Sequence, residues 1–133
     1  MTVESLTMAI VLHLMPLVDW SDLSPDDDVG NASLDTDGFI HCTDDPGVML
    51  QVANAFYAQQ PGDFVVLQVD TARLTHRCIW EAPAHISGAG PAFADTFPHV
   101  YGPIDRAAVT GARPVVRDQA GAFVCYDVSP AND

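Results

Sequence analysis

The chain alternates short apolar runs with polar stretches rich in Pro, Gly and Asp. Ala9 to Met15 (AIVLHLM) is an apolar run of strand length, ended by Pro16. Leu17 to Leu23 has Leu17 and Trp20 on one face and predicts a short helix. The next stretch, SPDDDVGNASLDTDG, reads as a long loop. Gly38 to Cys42 (GFIHC) predicts a second strand. Asp45 followed by Pro46 predicts a helix start, with Asp as the cap and Pro at the first helical position. That helix is expected to run to about Gln59, with Met49, Val52, Ala53, Phe56 and Tyr57 as its buried stripe. Phe64 to Val69 (FVVLQV) predicts a central strand, and Cys78 to Trp80 a shorter one. Ala82 to Thr96 reads as a second long loop. Phe97 to Ile104 (FPHVYGPI) is extended, and Asp105 is placed to cap one helical turn. Val109 to Arg117 and Ala122 to Val128 predict a hairpin turning at Asp118 to Gly121.

Strands outnumber helices and one helix is long. The expectation is an α+β fold: a single domain over residues 9–128, with a curved, mainly antiparallel sheet. Residues 1–8 and 129–133 read as flexible tails. The two long loops exceed the usual length of a connection, which marks them as candidate lids or binding loops. The length of 133 residues suits one domain that needs no disulfide or structural metal to fold. A hydrophobic share of 48% fits a packed core.

Charge narrows the range of partners. Eighteen acidic residues face five basic ones, for a net charge of −13, and there is no lysine. Such a surface repels phosphate backbones and anionic membranes, so neither nucleic acid nor a membrane is expected as a partner. A small-molecule ligand in a sheltered pocket is. Cys42, Cys78 and Cys125 are odd in number and not spaced as pairs, so they read as free thiols suited to the cytoplasm. The run Met8 to Val18 is too short to span a bilayer, and no basic residue precedes it as in a signal peptide.

Candidate chemistry centres on the histidines. By strand alternation His13 shares a face with Val11 and Met15, as a core residue or a ligand contact. His41 lies where a strand end meets a helix N-terminus, and there it either organises the turn or serves as a general base. His99 and Tyr101 fall on one face of an extended segment bracketed by Pro98 and Pro103. Glu81 ends a strand beside Trp80. Desolvation there would raise its pKa; pairing with an arginine is the other reading. His76 and His85 read as solvated. Cys42 does not pair with His41, because neighbours on a strand face opposite ways. No Gly-rich phosphate loop, nucleophile elbow, HExxH motif or EF-hand occurs.

GFIHCTDD, VANAFY, VVLQVD, IWEAP and FPHVYGPID, in this order behind a strand carrying His13, resemble a bacterial family catalogued as domain of unknown function 952. The resemblance covers about residues 9 to 116 of this chain. The family is distantly similar to the ADP-ribosyltransferase superfamily, which includes the NAD-dependent RNA 2′-phosphotransferases. The resemblance therefore implies an ADP-ribosyltransferase-like split sheet that binds NAD or a related nucleotide. In that superfamily a first-strand His or Arg holds the NAD ribose, and His13 matches it. A second motif before a helix lies near the nicotinamide, and His41 falls there. Gly38 and Thr43, within the same GFIHCT segment, and Tyr57 on the helix are the cofactor-binding candidates. The third motif carries a catalytic Glu on a later strand. His99 or Tyr101 falls at that position with no acid in register, and Glu81 comes earlier.

The resemblance implies that His13, His41 and His99 form one inward-facing cluster, with Glu81 and Tyr101 near its rim. The leading expectation is an enzyme acting at the N-glycosidic bond, with NAD as a substrate and no metal. The alternatives are a non-enzymatic binding module and a metal-dependent hydrolase built on the histidines.

Overall fold

The computed structural model describes residues 9–82 and 95–126. The first strand, β1 (Ile10–Pro16), leads into a short helix, α1 (Leu17–Ser21). The Asp-rich stretch is not all loop. It contains a helical turn, α2 (Ser33–Thr36), and Val29 is fully buried and bridged to Ile104. One apolar residue among many polar ones is enough to pin that segment down. Strand β2 (Ile40–His41) is shorter than expected. Helix α3 (Pro46–Phe56) starts as expected: the Asp45 carboxylate accepts a hydrogen bond from the Val48 N–H at 3.0 Å.

The chain continues through β3 (Phe64–Asp70), β4 (Cys78–Glu81), β5 (Phe97–Val100), β6 (Val109–Arg117) and β7 (Phe123–Tyr126). Two single 3-10 turns, Thr71–Arg73 and Arg106–Ala108, link strands. The β6–β7 hairpin lies where it was expected, as far as the described residues extend. Most of the Ala82 to Thr96 loop, His85 and the expected tails fall outside the described residues.

Among the described residues all strand pairs are antiparallel. Four strands form one sheet in the order β1-β3-β6-β7, and three form another in the order β2-β5-β4. The split α+β architecture follows from this. Leu12 and Thr43 join the two sheets by exchanging backbone hydrogen bonds of 2.6 and 2.9 Å. One core layer, with Val11, Met15, Val65, Leu67 and Val69, faces Ile40, Cys42 and Val100 of the small sheet. The other layer, with Leu12, Phe64, Val66 and Phe123, packs under α3 through Met49 and Ala53. Strand β3 lies between the layers and is buried at all seven positions.

Helix α3 departs from the expected stripe. Met49 and Ala53 are buried, but Phe56 and Tyr57 are 60% and 37% exposed. Asn54 explains the turn of the helix. Its side chain donates to the Phe123 carbonyl and accepts from the Phe123 N–H, which fixes the face that includes residues 49, 50, 53 and 54 on the sheet. The helix also ends earlier than Gln59, and Arg117 takes up the carbonyls of Ala58, Gln60 and Gly62 beyond its end. Asp105 does not cap its turn with its side chain. Its carboxylate instead accepts from the Thr75 N–H and hydroxyl, both at 2.6 Å. Among the described residues no helix is long and apolar enough to cross a membrane.

Candidate functional site

The small sheet has two unlike faces. Across β5, Ile40 and Cys78 both pair with Val100, and these three turn toward the core. The alternate positions turn the other way. His41 pairs with His99, which pairs with Ile79, and Glu81 pairs with Phe97. Phe39 stands two residues before His41, and Tyr101 two after His99. Phe39, His41, Glu81, His99 and Tyr101 thus share the face away from the core.

Their side chains are in contact. Phe39 stacks on His99 with ring centroids 4.0 Å apart, meets His41 edge-on at 4.8 Å, and lies 5.3 Å from Tyr101. The His41 and His99 rings are 5.4 Å apart. Glu81 Oε1 accepts from Nδ1 of His99 at 2.7 Å and from the Tyr101 hydroxyl at 2.5 Å. His41 Nε2 meets the Asp37 carboxylate at 2.8 Å. Two histidines facing each other are therefore each oriented by a carboxylate.

The carboxylate beside His99 and Tyr101 comes from the neighbouring strand β4. Glu81 is out of register in sequence but across from them in space. Its environment also differs from the expectation. Trp80 turns to the opposite face, where its indole N–H donates to Asp44 at 2.8 Å, so it does not desolvate Glu81. The hydrogen bond from Tyr101, then that from His99, hold the Glu81 carboxyl below its usual range, and the Arg77 charge adds to this. Glu81 is thus an ionised carboxylate at neutral pH. The same bond to Glu81 pushes the Tyr101 phenol up and keeps it a donor.

His13 reaches the group from the four-stranded sheet. It is 3% exposed, and Nδ1 donates to the His41 carbonyl at 3.1 Å. Burial lowers its pKa and holds the ring neutral. A carbonyl only accepts, so the proton is on Nδ1 and Nε2 is left as an acceptor. That nitrogen is buried with no partner among the described residues; so are Nε2 of His99 and Oγ1 of Thr43. The three histidines form a connected group but not one inward cluster. His13 and His99 are buried, whereas the His41 side chain is 43% exposed.

Of the remaining candidates, Gly38 takes a left-handed conformation, φ 88°, that turns the chain into β2. Thr43 sits at the seam between the sheets. Tyr57 is not brought to the histidines: its ring lies 5.6 Å from that of Phe64, under the other sheet. His76 is not simply solvated. Its ring lies against Gly102, where a Cβ would come within 2.3 Å of it, and Nδ1 meets the Pro103 carbonyl at 3.2 Å. Together with Thr75 it clamps the loop after Tyr101. Asp37 and His76 lie outside the motif segments, and Phe39 lies within GFIHC but as a residue type points to no chemistry. Phe39 and Asp37 were recoverable only as near neighbours of His41.

Burial raises the pKa of the Cys42 thiol and pushes that of Cys78 up to about 11, so neither is a thiolate nucleophile. Among the described residues no group of three His, Cys, Asp or Glu side chains is arranged to hold a metal ion.

No curated protein matches the chain. Solved structures share its fold. The crystal structure of protein CC0527 from Caulobacter crescentus superposes with a TM-score of 0.66 at 23% identity, covering 86% of this chain and 93% of that one. The solution structure of CC0527 gives 0.61 at 22% identity, covering 87% and 92%. A model of the family described as protein of unknown function DUF952 matches residues 14–112, and the chain belongs to that family.

Proposed function

We propose that the His41–His99 face binds the ribosyl end of NAD or a related nucleotide and acts at its N-glycosidic bond. One observation carries the reading: two buried imidazole nitrogens, on His13 and His99, lack a partner among the described residues, while an ionised carboxylate, Glu81, holds the His99 ring. Buried polar nitrogens call for hydrogen-bond partners, and the hydroxyls of a ribose, which both donate and accept, supply them. In this reading His13 Nε2 accepts from one sugar hydroxyl and His99 Nε2 is hydrogen-bonded to another. Glu81 faces the positive charge that develops on the sugar as the C–N bond breaks. A fixed carboxylate in a partly dry site stabilises such charge far better than water does.

The bond between the anomeric carbon and the base nitrogen breaks, and its electron pair leaves with the base. A new C–O bond forms to water or another hydroxyl. The acceptor's proton passes to His41, whose ring is the exposed one and is oriented by Asp37.

Calorimetry with NAD, followed by mass spectrometry for released nicotinamide, tests the reading. Binding with release is the expected result. Binding without release leaves a binding module, and no binding by any ribosyl ligand overturns the proposal. His13→Leu is expected to weaken binding at least tenfold.

A further inference from the structure

We infer that, within the ribosyl class, the site takes an unphosphorylated N-riboside with a neutral or positively charged base, and discriminates against its phosphorylated forms. This rests on the reading above and narrows it.

A phosphate needs cations or unfilled backbone N–H groups. All five arginines lie among the described residues, so the supply of cationic side chains can be followed in full. Arg106 donates to the Ser24 carbonyl at 2.8 Å and lies 4.2 Å over the Trp20 ring. Arg117 donates to four backbone carbonyls, those of Ala58, Gln60, Gly62 and Gly121. Arg73 lies 3.4 Å from the Asp70 carboxylate, and Arg113 on β6 is also engaged. Only Arg77 bears on the histidine face, and there its charge acts on Glu81 and Tyr101.

The nearest long helix offers no replacement. Pro46 has no N–H to give, the Asp45 carboxylate already takes the Val48 N–H, and Asp44 stands beside it bound to Trp80. The place where a phosphate would meet the helix N-terminus is held by two carboxylates. On the histidine face itself, the ionised Glu81 is a negative charge beside His99. Nearby negative charge repels a phosphate and attracts a cationic base. The unpartnered ring nitrogens of His13 and His99 need only the sugar.

The test compares nicotinamide riboside, nicotinamide mononucleotide and NAD by calorimetry on the full chain at low salt. The riboside is expected to bind at least tenfold tighter than either phosphorylated ligand, with the gap shrinking as salt screens the repulsion. Mononucleotide or NAD binding as tightly as the riboside overturns this inference and leaves the ribosyl reading standing. Failure of all three ligands to bind overturns both.

Discussion

The two sheets use the same kind of strand for opposite ends. In the four-stranded sheet, β3 has apolar layers on both sides: Val65, Leu67 and Val69 face one, Phe64 and Val66 the other. Both of its edges are paired. In the three-stranded sheet only one face meets the core, and the other carries His41, His99, Glu81 and Tyr101. A strand buried on both faces contributes stability, and one buried on a single face can present chemistry on the other. His13 bridges the two kinds. It grows from the structural sheet, yet its ring serves the backbone of the other.

Substitutions separate the two roles. The largest effect is expected in β3. Leu67→Ala leaves a cavity in a fully buried site and costs about 3 kcal/mol by urea denaturation. It leaves the Tyr101 absorbance titration in place, because the Glu81 contact lies outside that core. A change in that titration would mean that the sheets do not divide stability and chemistry as described.

Gly102→Ala comes next. The new methyl group meets the His76 ring, and forcing it in costs about 2 kcal/mol. The loop then shifts and Tyr101 loses its bond to Glu81. His76→Ala in the same chain removes the clash and restores the Tyr101 titration. Failure of that rescue would show that His76 does not position the loop.

His13→Leu costs about 1 kcal/mol at pH 7, because the His41 carbonyl loses its donor. Its clearer signature is in acid. The folded His13 pKa lies below that of the unfolded chain, about 6.5. As pH falls below that value the unfolded chain takes up a proton that the folded one refuses, so stability declines. The variant is expected to lose that part of the acid sensitivity. An unchanged pH profile by thermal melting would place the sensitivity elsewhere.

Glu81→Gln has the smallest effect on stability and the sharpest on the site. The melting temperature changes little, and the Tyr101 titration midpoint falls toward the usual value for tyrosine, about 10. Because the folded Glu81 pKa is lowered, its contribution is present above the ordinary carboxylate range and is lost as pH drops through the folded value. A Tyr101 midpoint that stays high in the variant would remove Glu81 as its cause.

What the sequence reveals and what it hides divide along the same line. Local signals were legible: the uniform apolar run of β3, the Asp45–Pro46 start of α3, the β6–β7 hairpin, and the face shared by Val11, His13 and Met15. Contacts set by pairing between distant segments were not. Glu81 meets His99 because β4 and β5 lie side by side in a particular register, which neither segment encodes alone. The stripe on α3 misled at Phe56 and Tyr57, because helical spacing cannot foresee Asn54 fastening the helix to β7. Val29 was lost among its polar neighbours for the same reason. Its partner, Ile104, is far along the chain.

The backbone exchange between Leu12 and Thr43 carries a consequence for the order of assembly. β1 pairs with β3 at Ile10–Asp70, and β3 pairs with β6 at Val65–Pro114. Each partner emerges long after the first strand during synthesis. Such nested, distant pairing makes for slow folding. Until β3 is in place, β1 has no sheet from which to reach Thr43, and His13 has no fixed carbonyl at His41. The ligand face is therefore expected to mature last, and refolding followed at Tyr101 should lag behind refolding followed by secondary structure.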